Sequence, residues 1–265
     1  MREVSFEESK EIMIKTLESI DKCCRENNIK YSVCWGTMIG AIRHHGFIPW
    51  DDDIDIMMPR EDYNRFLNLY NDSEYGVYTP KVSKNHMNII TKIYDKKTCV
   101  YLKKRSKSFF GVWVSIFPYD NAPNENLKLW EMKRDFWLTL YHVKVRVQNI
   151  VGQNIMREVV KRIIRILLLP LSSFWLYNRV ERCLTAYNSQ QTKRICIWFG
   201  TPYMLFRYFP QELFDDFIDI DFGDIKTKII KGYDKFMKQT YGDYMQFPPE
   251  SERVPKHNYK AYYIE

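Results

Sequence analysis

Apolar positions recur with a helical period at the start of the chain. The spacing predicts an amphipathic helix whose buried stripe is formed by Met13, Leu17, Ile20 and Cys24. Asparagines favour helix ends, so the helix should end at Asn27-Asn28. A short apolar run then predicts a strand from Tyr31 to Trp35, and a second helix is predicted to begin at Gly36.

A loop around Gly46 and Pro49 separates this second helix from a strand predicted over Ile54 to Met58. Pro59 is placed to start the next helix, because proline is well tolerated in the first helical turn. Further strands are predicted at Ile89 to Tyr94, Cys99 to Leu102, Val112 to Phe117 and Phe217 to Phe222. A last helix is predicted near Tyr233 to Tyr241.

Residues 127–188 change to a mainly helical and strongly basic pattern. The sequence therefore predicts an α+β fold, with a mixed sheet and flanking helices first and a mainly helical, basic second half. We place a boundary near Pro123, which gives a catalytic core over residues 1–123 and a region over 124–265 that completes the site.

Composition narrows the class of protein. Among 265 residues, 45% are hydrophobic and 28% charged, which is typical of a globular chain. The formal net charge of +7 suits an anionic substrate, a nucleic acid or an acidic membrane surface, and does not choose among them. The six cysteines form no CxxC pair, and Met1 begins no signal peptide, so we expect free thiols in the cytoplasm.

The main candidate for a functional site is the acidic segment Asp51-Asp52-Asp53-Ile54-Asp55, where four carboxylates occupy five positions. Alternation along a strand places Asp53 and Asp55 on one face, while Ile54 packs into the core. Adjacent carboxylates repel one another unless a cation lies between them. Oxygen ligands of this kind suit Mg²⁺ or Mn²⁺.

Together with upstream Gly36-Thr37 at a strand-to-helix junction, the acidic segment matches the layout of the nucleotidyltransferase fold. The run from Trp35 to Ile56, followed by Met58 to Tyr63, closely resembles the LicD family of bacterial phosphocholine transferases, whose relatives include fukutin and fukutin-related protein. Further matching segments are Lys92 to Thr98, Ile116 to Asp120 and Tyr241 to Pro249, followed by Arg253 and His257.

The resemblance implies transfer of a phospho-alcohol, most simply phosphocholine, from its CDP derivative to a hydroxyl of a glycan such as teichoic acid, capsule or lipopolysaccharide. It implies that Asp53 and Asp55 are catalytic and hold Mg²⁺ or Mn²⁺ between the donor phosphates. Asp51 and Asp52 are expected to orient the loop and the ligands rather than to bind the metal.

Five residues are candidates for binding the donor or its phosphates. The resemblance implies this role for Gly36 and Thr37, at a helix start where backbone N–H groups point outward. Arg43 is a candidate because its planar guanidinium can bind phosphate through two hydrogen bonds. Arg60 and Lys92 are candidates for the same task, with surface or ion-pair roles as the alternative.

Ser115 departs from the family pattern, in which this strand usually carries an aspartate. A serine cannot serve as a carboxylate base. Either another acid replaces it, with Asp120 as the first candidate and Asp95 as the second, or catalysis depends on the metal and positioning alone, or the protein is impaired.

Arg157 to Tyr177 combines a basic amphipathic pattern with an apolar stretch that contains Trp175. Such a segment can lie on an anionic membrane leaflet, which would place the protein at the inner face of the cytoplasmic membrane next to a lipid-linked acceptor. A core helix with a solvated basic face is the alternative. The longest uncharged stretch, Ile166 to Tyr177, is too short to span a bilayer.

Three other functions compete with phospho-alcohol transfer. A nucleotidyltransferase would release pyrophosphate, and an impaired relative would only bind glycan or membrane. Nucleic-acid binding is not expected, because the chain contains no recognisable nucleic-acid module and the acidic segment would repel a phosphate backbone.

Overall fold

The computed structural model describes residues 1–81, 89–102, 110–145, 155–197, 208–257 and 259–264. Within these ranges the chain forms an α+β fold, as predicted, built on a curved mixed sheet. The α-helices are α1 (Phe6–Glu26), α2 (Trp35–Ile39), α3 (Arg60–Leu69), α4 (Leu127–Val145), α5 (Ile155–Leu167), α6 (Ser173–Leu184) and α7 (Tyr233–Tyr241).

The strands are β1 (Ser32–Val33), β2 (Ile54–Pro59), β3 (Tyr75–Tyr78), β4 (Thr91–Asp95), β5 (Thr98–Leu102), β6 (Trp113–Asn121), β7 (Arg194–Ile197), β8 (Tyr208–Pro210), β9 (Phe217–Phe222), β10 (Ile225–Ile230) and β11 (Tyr259–Tyr263). The main sheet has the order β1-β2-β6-β4-β3, and β7 pairs with the far end of β6 and with β8. Strands β2 and β6 run parallel, whereas the other pairs are antiparallel.

The hydrophobic core explains why the first helix forms where the pattern predicts it. The four predicted stripe residues of α1 are all buried, and Ser5 caps the helix by accepting a hydrogen bond from the backbone N–H of Glu8. On β2, Ile54 and Ile56 are fully buried. Their burial fixes the opposite orientation of Asp55, since side chains alternate along a strand.

The strand predicted over Tyr31 to Trp35 is wrong at its end, because β1 stops at Val33 and α2 begins at Trp35. Trp35 has φ +53°, a left-handed conformation that turns the chain from the strand into the helix. After Ile39 the helix continues as a π-helix over Gly40–His44. Arg43 lies in this π-helix, whose C-cap His45 has φ +55°.

The second half of the chain supplies the three predicted kinds of element: basic helices, the strand β9 and the helix α7. It also contributes β7 and β8 to the main sheet. The boundary near Pro123 remains a prediction. Among the described residues, no helix is both long enough and apolar enough to cross a membrane.

Candidate active site

The aspartate segment lies at the start of β2, beside its parallel neighbour β6. In the register of the sheet, Asp55 is opposite Ser115 on β6, and Ser115 is opposite Lys92 on β4. Residues paired in this way point to the same face of a sheet. A single row across the sheet therefore contains a carboxylate, a hydroxyl and an amine. Asp53, two residues before Asp55, is on the same side.

Ser115 bridges its neighbours on the same face of the sheet by hydrogen bonds. The indole Nε1 of Trp113 donates to its Oγ at 3.2 Å, and the Ser115 hydroxyl is bonded to the carboxylate of Asp55. A relay of donors therefore runs from Trp113 through Ser115 to Asp55. The serine therefore helps to orient the carboxylate of Asp55.

Lys92 brings positive charge next to the aspartates. Its Nζ lies 3.7 Å from the centroid of the Trp113 ring, which fixes the side chain over an aromatic face. Burial lowers the pKa of Lys92 to about 7, although Asp55 and Asp53 act in the opposite direction. Lys92 therefore faces the acidic segment, and its role in binding the donor phosphates remains a prediction.

Gly36 lies directly against the carboxylate of Asp51. A Cβ placed on Gly36 would overlap the Oδ2 of Asp51. The hydroxyl of Thr37 accepts a hydrogen bond of 2.9 Å from the backbone N–H of Asp55, which ties α2 to the start of β2. Both residues of the Gly-Thr pair therefore contact the aspartate segment directly.

Three carboxyl groups of this segment are buried close together, which raises their pKa values. Burial, followed by repulsion from Asp53 and Asp52, raises the pKa of Asp51 to about 7. Burial likewise raises the pKa of Asp53. It raises the pKa of Asp55 well above the usual range, with Asp53 adding to the effect. Asp51 and Asp53 are also hydrogen-bonded to each other, which requires a shared proton.

His257 reaches the segment from the far end of the chain. Its Nδ1 lies 3.0 Å from one oxygen of Asp52 and 3.6 Å from Oδ2 of Asp53. Its backbone N–H donates to the second oxygen of Asp52. The hydrogen bond with Asp52 raises the pKa of His257. Since both Asp52 oxygens are engaged by His257, Asp52 positions this loop.

The donor set suits a divalent cation. Ligand atoms of Asp52, Asp53 and His257 lie within 4.8 Å of one another. Asp53 is close enough to Asp55 to raise the pKa of that carboxyl. Clustered carboxylates with raised pKa values are the expected state of a cation site without its charge-balancing ion. The carboxylates present therefore fit a hard cation bound by oxygen, with the imidazole of His257 beside it.

Arg43 is held against the C-terminal loop instead of reaching toward the aspartates. Its guanidinium donates to the backbone carbonyls of Tyr244 and Gln246, and its Cζ lies 4.4 Å from the centroid of Phe247. Arg253 lies on the same ring, with its Cζ 5.4 Å from the centroid. The charge of Arg253 adds to burial in lowering the pKa of Arg43, so two like charges lie close together.

Arg60 and Asp120 are placed elsewhere, where they bind each other. Two nitrogens of the buried Arg60 guanidinium donate to the two oxygens of the buried Asp120 carboxylate, one at 2.9 Å. Asn188 donates to the same carboxylate. Asp120 is five residues beyond Ser115 on β6, about 17 Å along the strand. The structure thus brings neither residue to the aspartate segment.

Asp95, the second candidate base, is also distant from Asp55. It lies three residues beyond Lys92 on β4, and its carboxylate is hydrogen-bonded to Thr98 and to the backbone of Lys97. These bonds stabilise the turn between β4 and β5.

Trp113 and His257 belong to the site, but no pattern of their own in the sequence reveals it. Trp113 has a detectable signal only through its spacing, two residues before Ser115 on the same strand face. His257 is distant in sequence and exposed over 45% of its side chain, so only the family resemblance of its segment points to it.

Comparison with known proteins agrees with this geometry. Residues 28–150 match the family model LicD/FKTN/FKRP, nucleotidyltransferase domain. The chain is 28% identical over 273 residues to the lipopolysaccharide cholinephosphotransferase LicD of Haemophilus influenzae, with 100% of both chains covered. An uncharacterized protein of Rickettsia prowazekii is 35% identical over 100 residues, which cover 37% of this chain and 35% of that protein. The acidic segment and the Gly-Thr pair lie within the residues that match this family model, and the chain is similar over its full length to a protein of the LicD family.

Proposed function

We propose that the chain is a transferase that moves phosphocholine from a CDP-activated donor to a hydroxyl of a cell-surface glycan, such as lipopolysaccharide or teichoic acid. The observation that carries this proposal is the convergence of Asp51, Asp53 and Asp55 with Lys92 at one end of the β2/β6 pair. The likeness to a lipopolysaccharide cholinephosphotransferase over the full chain supports this choice of reaction and acceptor.

Asp53 and Asp55 are proposed to hold a divalent cation, Mg²⁺ or Mn²⁺, beside the imidazole of His257. When bound, the ion would neutralise charge on the donor phosphates and on the departing nucleotide. Asp51 supports Asp53 through their hydrogen bond, and Asp52 holds the His257 loop in place.

Positive groups next to the aspartates and on the C-terminal loop are proposed to bind the donor. Lys92 lies on the sheet side. Arg43 and Arg253 lie on the loop side, beside Phe247, and neither forms an ion pair with an acidic side chain among the described residues. Two unpaired guanidiniums beside an aromatic ring suit a nucleotide, which offers phosphates and a base. Gly36 permits the close approach of backbone to the ligands at the start of α2.

Deprotonation of the acceptor does not depend on β6 in this proposal. Ser115 has no carboxylate, while Asp120 and Asp95 have partners elsewhere. Phosphoryl transfer proceeds through a loose transition state in most analyses, so positioning and charge neutralisation contribute more than a strong base. We propose that a carboxylate of the aspartate segment accepts the proton from the hydroxyl of the glycan acceptor.

A panel of CDP-alcohols with Mg²⁺ and a glycan acceptor tests this function. CDP-choline should give CMP and a phosphocholine-labelled acceptor in equal amounts. The alternative activity on the same fold, transfer of the nucleotide itself, would instead release pyrophosphate from a nucleoside triphosphate. Pyrophosphate release without CMP release would replace the proposal by that alternative.

A further inference from the structure

Helix α5 has its apolar face turned away from the protein. Val160, Ile163 and Leu167 project from one side of the helix and are 47%, 53% and 70% exposed. Val159 and Ile166 flank them and are also exposed. Helical geometry at 100° per residue places these five side chains within about one third of the circumference. A helix of a globular protein normally turns such a face to the core.

The opposite side of α5 attaches the helix to α4. Leu168, directly after the helix, is buried, and Ile164 packs against the same apolar cluster. The guanidinium of Arg165 donates to the carbonyl of Val143 at 2.9 Å. Lys144 donates to the carbonyls of Leu168 and Leu169, where a cation is favourable at a helix C-terminus. These contacts fix the exposed apolar face in its orientation.

The exposed apolar surface continues past the helix end. Leu169 is 66% exposed, and Phe174 and Trp175 at the start of α6 are also exposed. The Trp175 ring is in edge contact with that of Trp137, with 5.8 Å between centroids. Indole rings are enriched where a protein surface meets the lipid headgroups. We call these exposed apolar side chains the apolar surface: Val159, Val160, Ile163, Ile166, Leu167, Leu169, Phe174 and Trp175.

Cations without an acidic partner in the described part of the chain lie next to the Trp175 end of the apolar surface, where the guanidinium of Arg179 is 4.6 Å from the centroid of the Trp175 ring. A groove of about 390 Å³ between α4 and α6 is lined by Lys133, Arg179 and Arg182 together with Trp137. Among the described residues these three cations form no ion pair. The neighbouring acids are engaged elsewhere: Glu131 accepts from Tyr208, Asp135 pairs with Arg134, and Glu181 pairs with Lys81.

We propose that the apolar surface and the bordering cations dock on an anionic phospholipid bilayer, with α5 lying in the plane of the headgroups. The charge selects this occupant. A symmetric dimer through the same surface would place the cations of both copies, Lys133, Arg179 and Arg182, in one interface, and their repulsion costs free energy. An anionic leaflet neutralises these charges and accepts the apolar face at the same time. Docking would keep the protein beside a lipid-linked acceptor.

Vesicle co-sedimentation of the full chain tests the proposal. We expect binding to phosphatidylglycerol-containing vesicles that weakens with salt, and much less binding to phosphatidylcholine alone. Val160→Ser/Ile163→Ser/Leu167→Ser should weaken binding by at least about tenfold, since it removes apolar contact without opening the core. Lys133→Glu/Arg182→Glu should weaken it by more than about tenfold, since each cation near such a surface contributes about fivefold.

The matched control replaces exposed apolar residues elsewhere, as Leu69→Ser/Ile218→Ser/Ile264→Ser. It should bind as the wild type does, and thermal melting should show that all variants are folded. Equal binding to both kinds of vesicle, no binding at all, or equal loss in the control would overturn the proposal. A wild-type dimer that the α5 variant converts to monomer, with no vesicle binding, would assign the surface to a second copy instead.

Discussion

At the scale of single residues, strand alternation decides which carboxylates reach the site. Ile54 and Ile56 are fully buried, so Asp55 must point to the other face, beside Ser115. This much was predictable from the sequence, because the period of a strand is fixed. The partners of Asp55 were not predictable, because the register between β2 and β6 depends on the packing of the whole sheet.

The first prediction concerns Asp51, whose raised pKa has a cost for stability. A carboxyl whose pKa rises on folding stabilises the protein at low pH and loses that contribution as pH rises to the folded value. For Asp51 the window runs from 3.8 to about 7. Without divalent cations, Asp51→Asn should therefore melt higher than the wild type at pH 8, with the difference shrinking toward pH 4.

Thermal unfolding in EDTA across this pH range measures the effect, at about 2–4 °C for each kcal/mol. Asp216→Asn, at an exposed position, is the control and should show no such trend. A wild type that melts above Asp51→Asn throughout would contradict the raised pKa of Asp51.

The second prediction concerns Ser115. Ser115→Asp should reduce activity, because it adds a negative charge between Asp55 and Lys92 and removes the hydroxyl that bonds Asp55. Ser115→Ala should be milder, since it removes only the hydrogen bonds. Turnover of CDP-choline in Mg²⁺ measures both variants. A gain of about 10²-fold or more in Ser115→Asp would mean that the site lacks a base.

At the scale of elements, hydrophobic periodicity predicted α1, β9 and α7 at or near their observed bounds. Local patterning suffices where one face of an element is buried. It failed at Trp35, where a positive φ starts a helix inside an apolar run. It also could not reveal that Arg60, at the start of α3, is paired with Asp120 at the far end of β6. That contact depends on how the helix lies across the sheet.

The third prediction separates the structural and catalytic roles of this pair. Removing one partner of a buried ion pair leaves the other charge buried without a counter-charge. Arg60→Met should therefore destabilise the fold by roughly 3–5 kcal/mol. Arg60→Met/Asp120→Leu should recover much of that loss, because neither charge remains. Urea unfolding measures both variants. If the folded double variant keeps its affinity for CDP-choline, Arg60 is not a donor-binding residue; a large rise in KM would restore that role.

At the scale of the whole molecule, the site is assembled from distant parts of the chain. The aspartate segment, Lys92 and Ser115 come from the first half, whereas Arg253 and His257 come from the last 13 residues. The sequence pointed to the residues from the first half through the acidic segment and the segments that resemble the LicD family. The second set is brought in by β11, which pairs with β5 and fixes where the preceding loop lies.

The fourth prediction follows from this assembly. His257→Ala should weaken Mn²⁺ binding and activity by about 10–100-fold, because it removes an imidazole next to Asp53 and frees Asp52. His142→Ala on α4, which lies outside the site, is the control. Titration calorimetry with Mn²⁺ and a turnover assay measure the two effects. Unchanged Mn²⁺ affinity with reduced turnover would make His257 a substrate-positioning residue instead.

The central claim is that Asp53 and Asp55 carry a metal-dependent transfer, and choline-labelled CDP-choline tests it most directly. Label transfer to the glycan should require Mg²⁺ or Mn²⁺ and stop in EDTA. Asp53→Asn and Asp55→Asn should each lose on the order of 10³-fold or more in turnover while remaining folded. Near-normal transfer by both variants, with EDTA present, would contradict the account.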